Sequence, residues 1–113
     1  MKQIIAIVQP HRLEAIEEAL HALERLPGFT IFPARGHPRG QGPSHAYAAT
    51  EWNPDAHNQL MLLMYCPDTL ASVVVEAIRA VAHTGHPGDG LIAVSDVEDI
   101  VNIRTGERGD AAL

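Results

Sequence analysis

The segment Thr84-Gly85-His86-Pro87-Gly88-Asp89-Gly90 packs three glycines into one turn. Consecutive backbone N–H groups in such a turn can converge into a nest that holds an anion. Further along stands Arg104-Thr105-Gly106, and an Arg guanidinium can grip a phosphate with two parallel bonds. A lone Gly-Asp-Gly is an ordinary turn, so the second element is what makes the first informative. Seven His residues form the other chemistry-bearing group. His37, His45 and His57 fall in or beside a long irregular stretch, His83 and His86 flank the glycine turn, and His11 and His21 are ten residues apart. Loop imidazoles can meet around a divalent metal, with His45 and His57 as the first candidates. No spacing here is a recognised ligand pair, and solvated loop histidines are the simpler reading. No His/Asp/Ser arrangement has motif support, and no carboxylate pair falls on a strand. Asp89 and His86 would be the only enzymatic candidates, so no enzyme is expected.

These residues need a frame. The 113 residues argue for one domain spanning 1–113, small enough that self-association would help its thin core. Hydrophobic residues make up 46% and charged residues 19%, a globular rather than disordered composition. A formal net charge of -6 disfavours nucleic-acid binding, which needs a surplus of Lys and Arg. Cys66 is the single cysteine, so no intramolecular disulfide is expected, and a half-buried inert thiol is favoured over a reactive one. The apolar run at the N-terminus stops at Pro10, too short to insert into a membrane, and a cytoplasmic location is expected.

Periodicity places the elements. Ile4 to Val8 is β-branched and reads as a strand buried on both faces or nearly so. From His11 to Leu26 the apolar positions Leu13, Ile16, Leu20 and Leu23 share one helical stripe, ended by Pro27-Gly28. Phe29 to Phe32 reads as a strand, and Pro33 places it at an edge or bulge. A loop of about 37–58, rich in Gly, Pro, His and Asn, is long enough to be functional or mobile. Gln59 to Cys66 reads as a strand. Asp68 or Thr69 could cap a helix marked by Leu70, Val73, Val74, Ala77, Ile78 and Val81. Leu91 to Val94 is a further strand, Val97 to Ile103 could carry a short turn and another, and 104–113 is a polar tail. The order β-α-β-loop-β-α-β is the α+β, ferredoxin-like split βαβ arrangement. It predicts an antiparallel sheet with two helices on one face. The other face needs a cover, and self-association supplies one.

Here a resemblance emerges. Gly88 to Ser95, followed by Asn102-Ile103-Arg104-Thr105-Gly106-Glu107-Arg108-Gly109-Asp110-Ala111-Ala112-Leu113, resembles the C-terminal signature of PII signal-transduction proteins. Met1 to Pro10, with Arg12-Leu13, is similar to the family's first strand and helix. The resemblance implies a homotrimer that binds adenine nucleotide (ATP, ADP or AMP) in clefts between subunits. It implies that Gly88, Asp89, Gly90 and Arg104 face phosphates, Arg39 the terminal phosphate, and Thr30 and Gly36 the adenine. It also implies that the long loop docks on a regulated partner, of which a membrane transporter is one candidate. Departures from the family pattern are specific. Leu91 replaces a Lys after Gly-Asp-Gly, and Asn102 replaces an Arg. Gly40 stands for a Gln that helps hold magnesium and 2-oxoglutarate, and Trp52 for a Tyr that some bacterial members have uridylylated. Two missing cations predict weaker triphosphate binding, since a charge-assisted hydrogen bond is worth about 1.5–3 kcal/mol. The His-rich loop leaves a second expectation, a metal-binding trimer nearer to the CutA-like relatives of the fold.

Overall fold

A computed structural model describes residues 1–36 and 58–113. The elements are β1 (Lys2–Val8), a 3-10 turn (Pro10–Arg12), α1 (Leu13–His21), β2 (Phe29–Arg35), β3 (Asn58–Cys66), α2 (Asp68–Ala82), β4 (Gly90–Asp96) and a terminal 3-10 helix (Gly109–Ala112). The four strands form one sheet in the order β2-β3-β1-β4. Each neighbouring pair is antiparallel, with Ile4 opposite Met64 and Val94, and Leu62 opposite Ile31. This is the α+β, ferredoxin-like arrangement expected from the element order.

Alternation explains which side chains fill the core. Ile4, Ala6 and Val8 of β1 and Leu62, Met64 and Cys66 of β3 are buried on one face, because successive strand residues point to opposite sides. They meet Ile16 and Leu20 of α1 and Ala71, Val74, Ile78 and Ala82 of α2, spaced three or four apart along each helix. Burying a Leu, Ile or Val contributes roughly 1.5–3 kcal/mol relative to exposure. Cys66 is fully rather than half buried, and burial raises its thiol pKa, which keeps it protonated. The opposite face carries Ile5, Ile7, Met61, Leu63 and Phe32, and no helix among the described residues lies over it. These residues are only half-buried, and Phe32 is exposed. β1 is therefore sealed on one face only.

Several boundaries differ from the sequence reading. α1 ends at His21 rather than near Leu26. The Leu23 N–H bonds the Leu20 carbonyl in a tighter turn, so Leu23 still reaches the core while Leu26 is exposed. His11 belongs to the 3-10 turn and not to the helix. β2 runs on past Pro33 to Arg35 because it is an edge strand, where a missing donor costs no ladder bond. Asp68 begins α2 without capping it, and its carboxylate instead takes the Met1 ammonium at 2.7 Å. No further strand forms after β4 beyond an isolated bridge between Val101 and Arg108.

Two contacts bind the helix layer to the strand ends. The Arg12 guanidinium donates through Nε, at 2.8 Å, and through Nη2 to the Val81 carbonyl in the last turn of α2. Such carbonyls lack intrahelical partners, so a cation there satisfies both the bond and the helix dipole. No helix among the described residues is long and apolar enough to cross a membrane.

Candidate functional site

The turn between α2 and β4 is organised by one carboxylate. Asp89 Oδ2 accepts the backbone N–H of Thr84 at 2.8 Å and of Gly85 at 3.1 Å, while Oδ1 accepts the Thr84 hydroxyl. The hydroxyl bond first, and then the backbone donors, hold the Asp89 carboxyl below its ordinary value of 3.8. The Thr84 Oγ1 also accepts the His86 N–H at 3.2 Å, and His83 Nδ1 lies 3.6 Å from Asp89 Oδ2. From outside, the Gln9 amide donates to the Gly88 carbonyl at 3.0 Å. A trans peptide sets C=O and N–H on opposite sides, so this bond turns the Asp89 N–H away from Gln9. Gly90 has φ +102, and a Cβ there would lie 1.8 Å from the Ile7 carbonyl oxygen. Only glycine lets β4 begin so close to β1.

Arg104 belongs to a second turn, organised by Asn102. Asn102 Oδ1 accepts the N–H of Arg104 at 3.0 Å and of Thr105 at 3.1 Å, and its Nδ2 donates to the Ala112 carbonyl at 3.2 Å. Backbone bonds from Asn102 N–H to the Glu107 carbonyl and from Gly106 N–H to the Asn102 carbonyl close the loop. Arg104 is exposed on it, and Ile103 beside it is fully exposed. The Asn102 amide could have been anticipated, since Asn readily bonds local backbone N–H groups. No local signal in the sequence marks Gln9.

Thr30 lies on the exposed side of edge strand β2, paired with Leu63. Gly36 follows the end of that strand, with the Gln59 amide filling the place a Cβ would take. Gly88, Asp89 and Gly90 lie at the opposite edge of the sheet, where β4 starts. Three strand spacings, about 14 Å, separate the two edges. Arg104 follows the far end of β4, about 20 Å along that strand from Gly90. The glycine turn is thus self-contained, and one chain does not bring Thr30 or Arg104 onto it. Arg39, His45 and His57 lie outside the described residues, as do Gly40 and Trp52. Among the described residues, no three His, Cys, Asp or Glu side chains are placed to hold a metal ion.

Among the described residues, the most organised polar feature of this ferredoxin-like domain is the glycine turn built around Asp89. The family description "Nitrogen regulatory protein P-II" matches residues 1–107. Relatives bearing that name include one from Azospirillum brasilense, 39% identical, and one from Rhizobium meliloti (strain 1021), 40% identical. "Nitrogen regulatory protein P-II 1" of Escherichia coli (strain K12) is 36% identical. Each alignment covers 100% of this chain and 100% of the relative. The chain belongs to the P-II family, whose members are regulatory signal transducers and not enzymes.

Proposed function

We propose that this chain is a cytoplasmic, homotrimeric regulator that binds an adenine nucleotide in clefts between subunits and controls a partner protein through segment 37–58. Membership of the P-II family supplies the regulatory role. The observation that carries the nucleotide reading is the separation of the candidate residues across the sheet. Gly88, Asp89 and Gly90 form one half of a site; Thr30 lies on the opposite edge strand, and Arg104 follows the far end of β4. A second copy can bring one chain's Thr30 and Arg104 to another chain's glycine turn, which a single chain cannot do. The uncovered apolar face of the sheet supports the same assembly, because burial of Ile5, Ile7, Met61, Leu63 and Phe32 favours association.

Charge bears on which nucleotide is held. Leu91 offers no cation beside the turn, and Asn102 spends its amide on shaping the second turn rather than on an anion. Binding of ADP or AMP is favoured over ATP on this account, with Gly36 and Arg39 contributing near the base and the last phosphate. A membrane transporter is one candidate class for the partner. The divalent-metal reading through His45 and His57 rests on the sequence alone.

Light scattering on a sizing column gives the assembly, and calorimetry with ATP, ADP and AMP gives the ligand. The expected result is a particle of three times the 12.2 kDa chain mass, with ADP or AMP bound more tightly than ATP. A monomer, or no heat with any of the three, overturns the proposal.

A further inference from the structure

Val75, Arg79, Ala82 and His83 share one flank of α2 and its C-terminal end, at spacings of four, three and one. That flank and the start of β4 border an open cleft of about 300 Å³, which Asp89, Gly90 and Leu91 also line. Its lining is apolar below, from Val75, Ala82 and Ile92, and basic above, from Arg79 and His83. Leu91 is 58% exposed on the far side and contributes no charge. The one carboxylate at the cavity, Asp89, has its oxygens committed to the Thr84 hydroxyl and to the N–H groups of Thr84 and Gly85. Among the described residues, the Arg79 guanidinium has neither a hydrogen bond nor an ion pair. Among the described residues the permanent cation bordering the cavity is therefore uncommitted, and the cavity it borders is also lined by Asp89 and Gly90 of the glycine turn.

We propose that Arg79, assisted by His83, is the side chain that grips the phosphate groups of the nucleotide held at the glycine turn. This rests on the nucleotide reading above and adds the residue that supplies its charge. A guanidinium fork matches two phosphate oxygens, and its charge does not titrate in the physiological range. The source of the phosphate is a nucleotide rather than a free anion, because the cavity is mostly apolar and a bare phosphate would leave that surface unused.

Titration calorimetry of wild-type, Arg79→Gln and Arg79→Lys proteins with ADP, adenosine and inorganic pyrophosphate tests the assignment. Arg79→Gln should weaken ADP at least tenfold and leave adenosine within twofold of wild type. Arg79→Lys should fall between them. Thermal melting of each variant should match wild type, since Arg79 is an exposed helix position. ADP binding within twofold of wild type in Arg79→Gln overturns the assignment, as does an equal loss for ADP and adenosine. If wild type binds pyrophosphate in an Arg79-dependent way but neither ADP nor adenosine, the nucleotide reading fails and the anion site stands.

Discussion

The turns on either side of β4 solve the same problem with different chemistry. Both are held by one short side chain that accepts local backbone N–H groups: Asp89 for Thr84 and Gly85, Asn102 for Arg104 and Thr105. The first organiser is an anion and the second is neutral. A neutral organiser suits the turn that displays Arg104, because a carboxylate two residues away would offset the guanidinium's charge. A carboxylate beside a turn proposed to hold an anion must have its charge offset locally, and three donors engage both oxygens of Asp89. The comparison teaches that the acidic residue of the Gly-Asp-Gly sequence builds the turn, so any anion held there, as proposed above, must be met by other groups.

The sharpest way to break the first turn is through its backbone. Gly90→Ala puts a Cβ against the Ile7 carbonyl oxygen and demands φ +102 of an L residue. The β1–β4 pairing must then separate at its first rung, Val8 opposite Gly90. A loss of about 3 kcal/mol is expected, read from urea unfolding. Wild-type stability in this variant would mean that β4 starts elsewhere. The neutral turn should be less costly to disturb. Asn102→Ala removes two accepted bonds and one donated bond from a half-exposed position. A loss of about 1–2 kcal/mol is expected, with weakened nucleotide binding because Arg104 is no longer fixed. Unchanged melting would remove Asn102 as the organiser of that turn.

The two turns also differ in how far the sequence betrays them. The element order was legible, because β-branched runs and clean helical stripes in 13–20 and 70–81 point to one arrangement. Glycine spacing exposed the first turn's location, but not its internal wiring. Thr84 and Asp89 are five residues apart, and nothing in that spacing requires them to meet. The early end of α1 was hidden because Leu23 keeps the helical period while leaving the helix. Arg104 was legible as a phosphate-type residue, yet its distance from Gly90 follows from sheet topology and not from local pattern. Nothing local in the sequence sets Arg79 apart, and only the cavity beside β4 distinguishes it from other exposed helix positions.

The smallest expected effect at neutral pH is also the most diagnostic of the charge difference. In Asp89→Asn, the remaining oxygen can take both backbone N–H groups that now reach Oδ2. The new amide NH2 can donate to Thr84 Oγ1 once that hydroxyl stops donating, so all three bonds survive. Melting at pH 7 should therefore shift little. Acid should tell the two proteins apart. The Asp89 carboxyl titrates below its ordinary 3.8 when folded, so the unfolded chain binds the proton first as pH falls. Its contribution to stability is complete above that ordinary value, and declines as pH drops through the lowered folded value. Wild type should lose melting temperature below about pH 4 more steeply than Asp89→Asn does. Asp68, also lowered by its bond to the Met1 ammonium, titrates in both proteins and cancels in the comparison. Parallel acid limbs would show that Asp89 holds its turn by shape alone, erasing the distinction between an anionic and a neutral organiser.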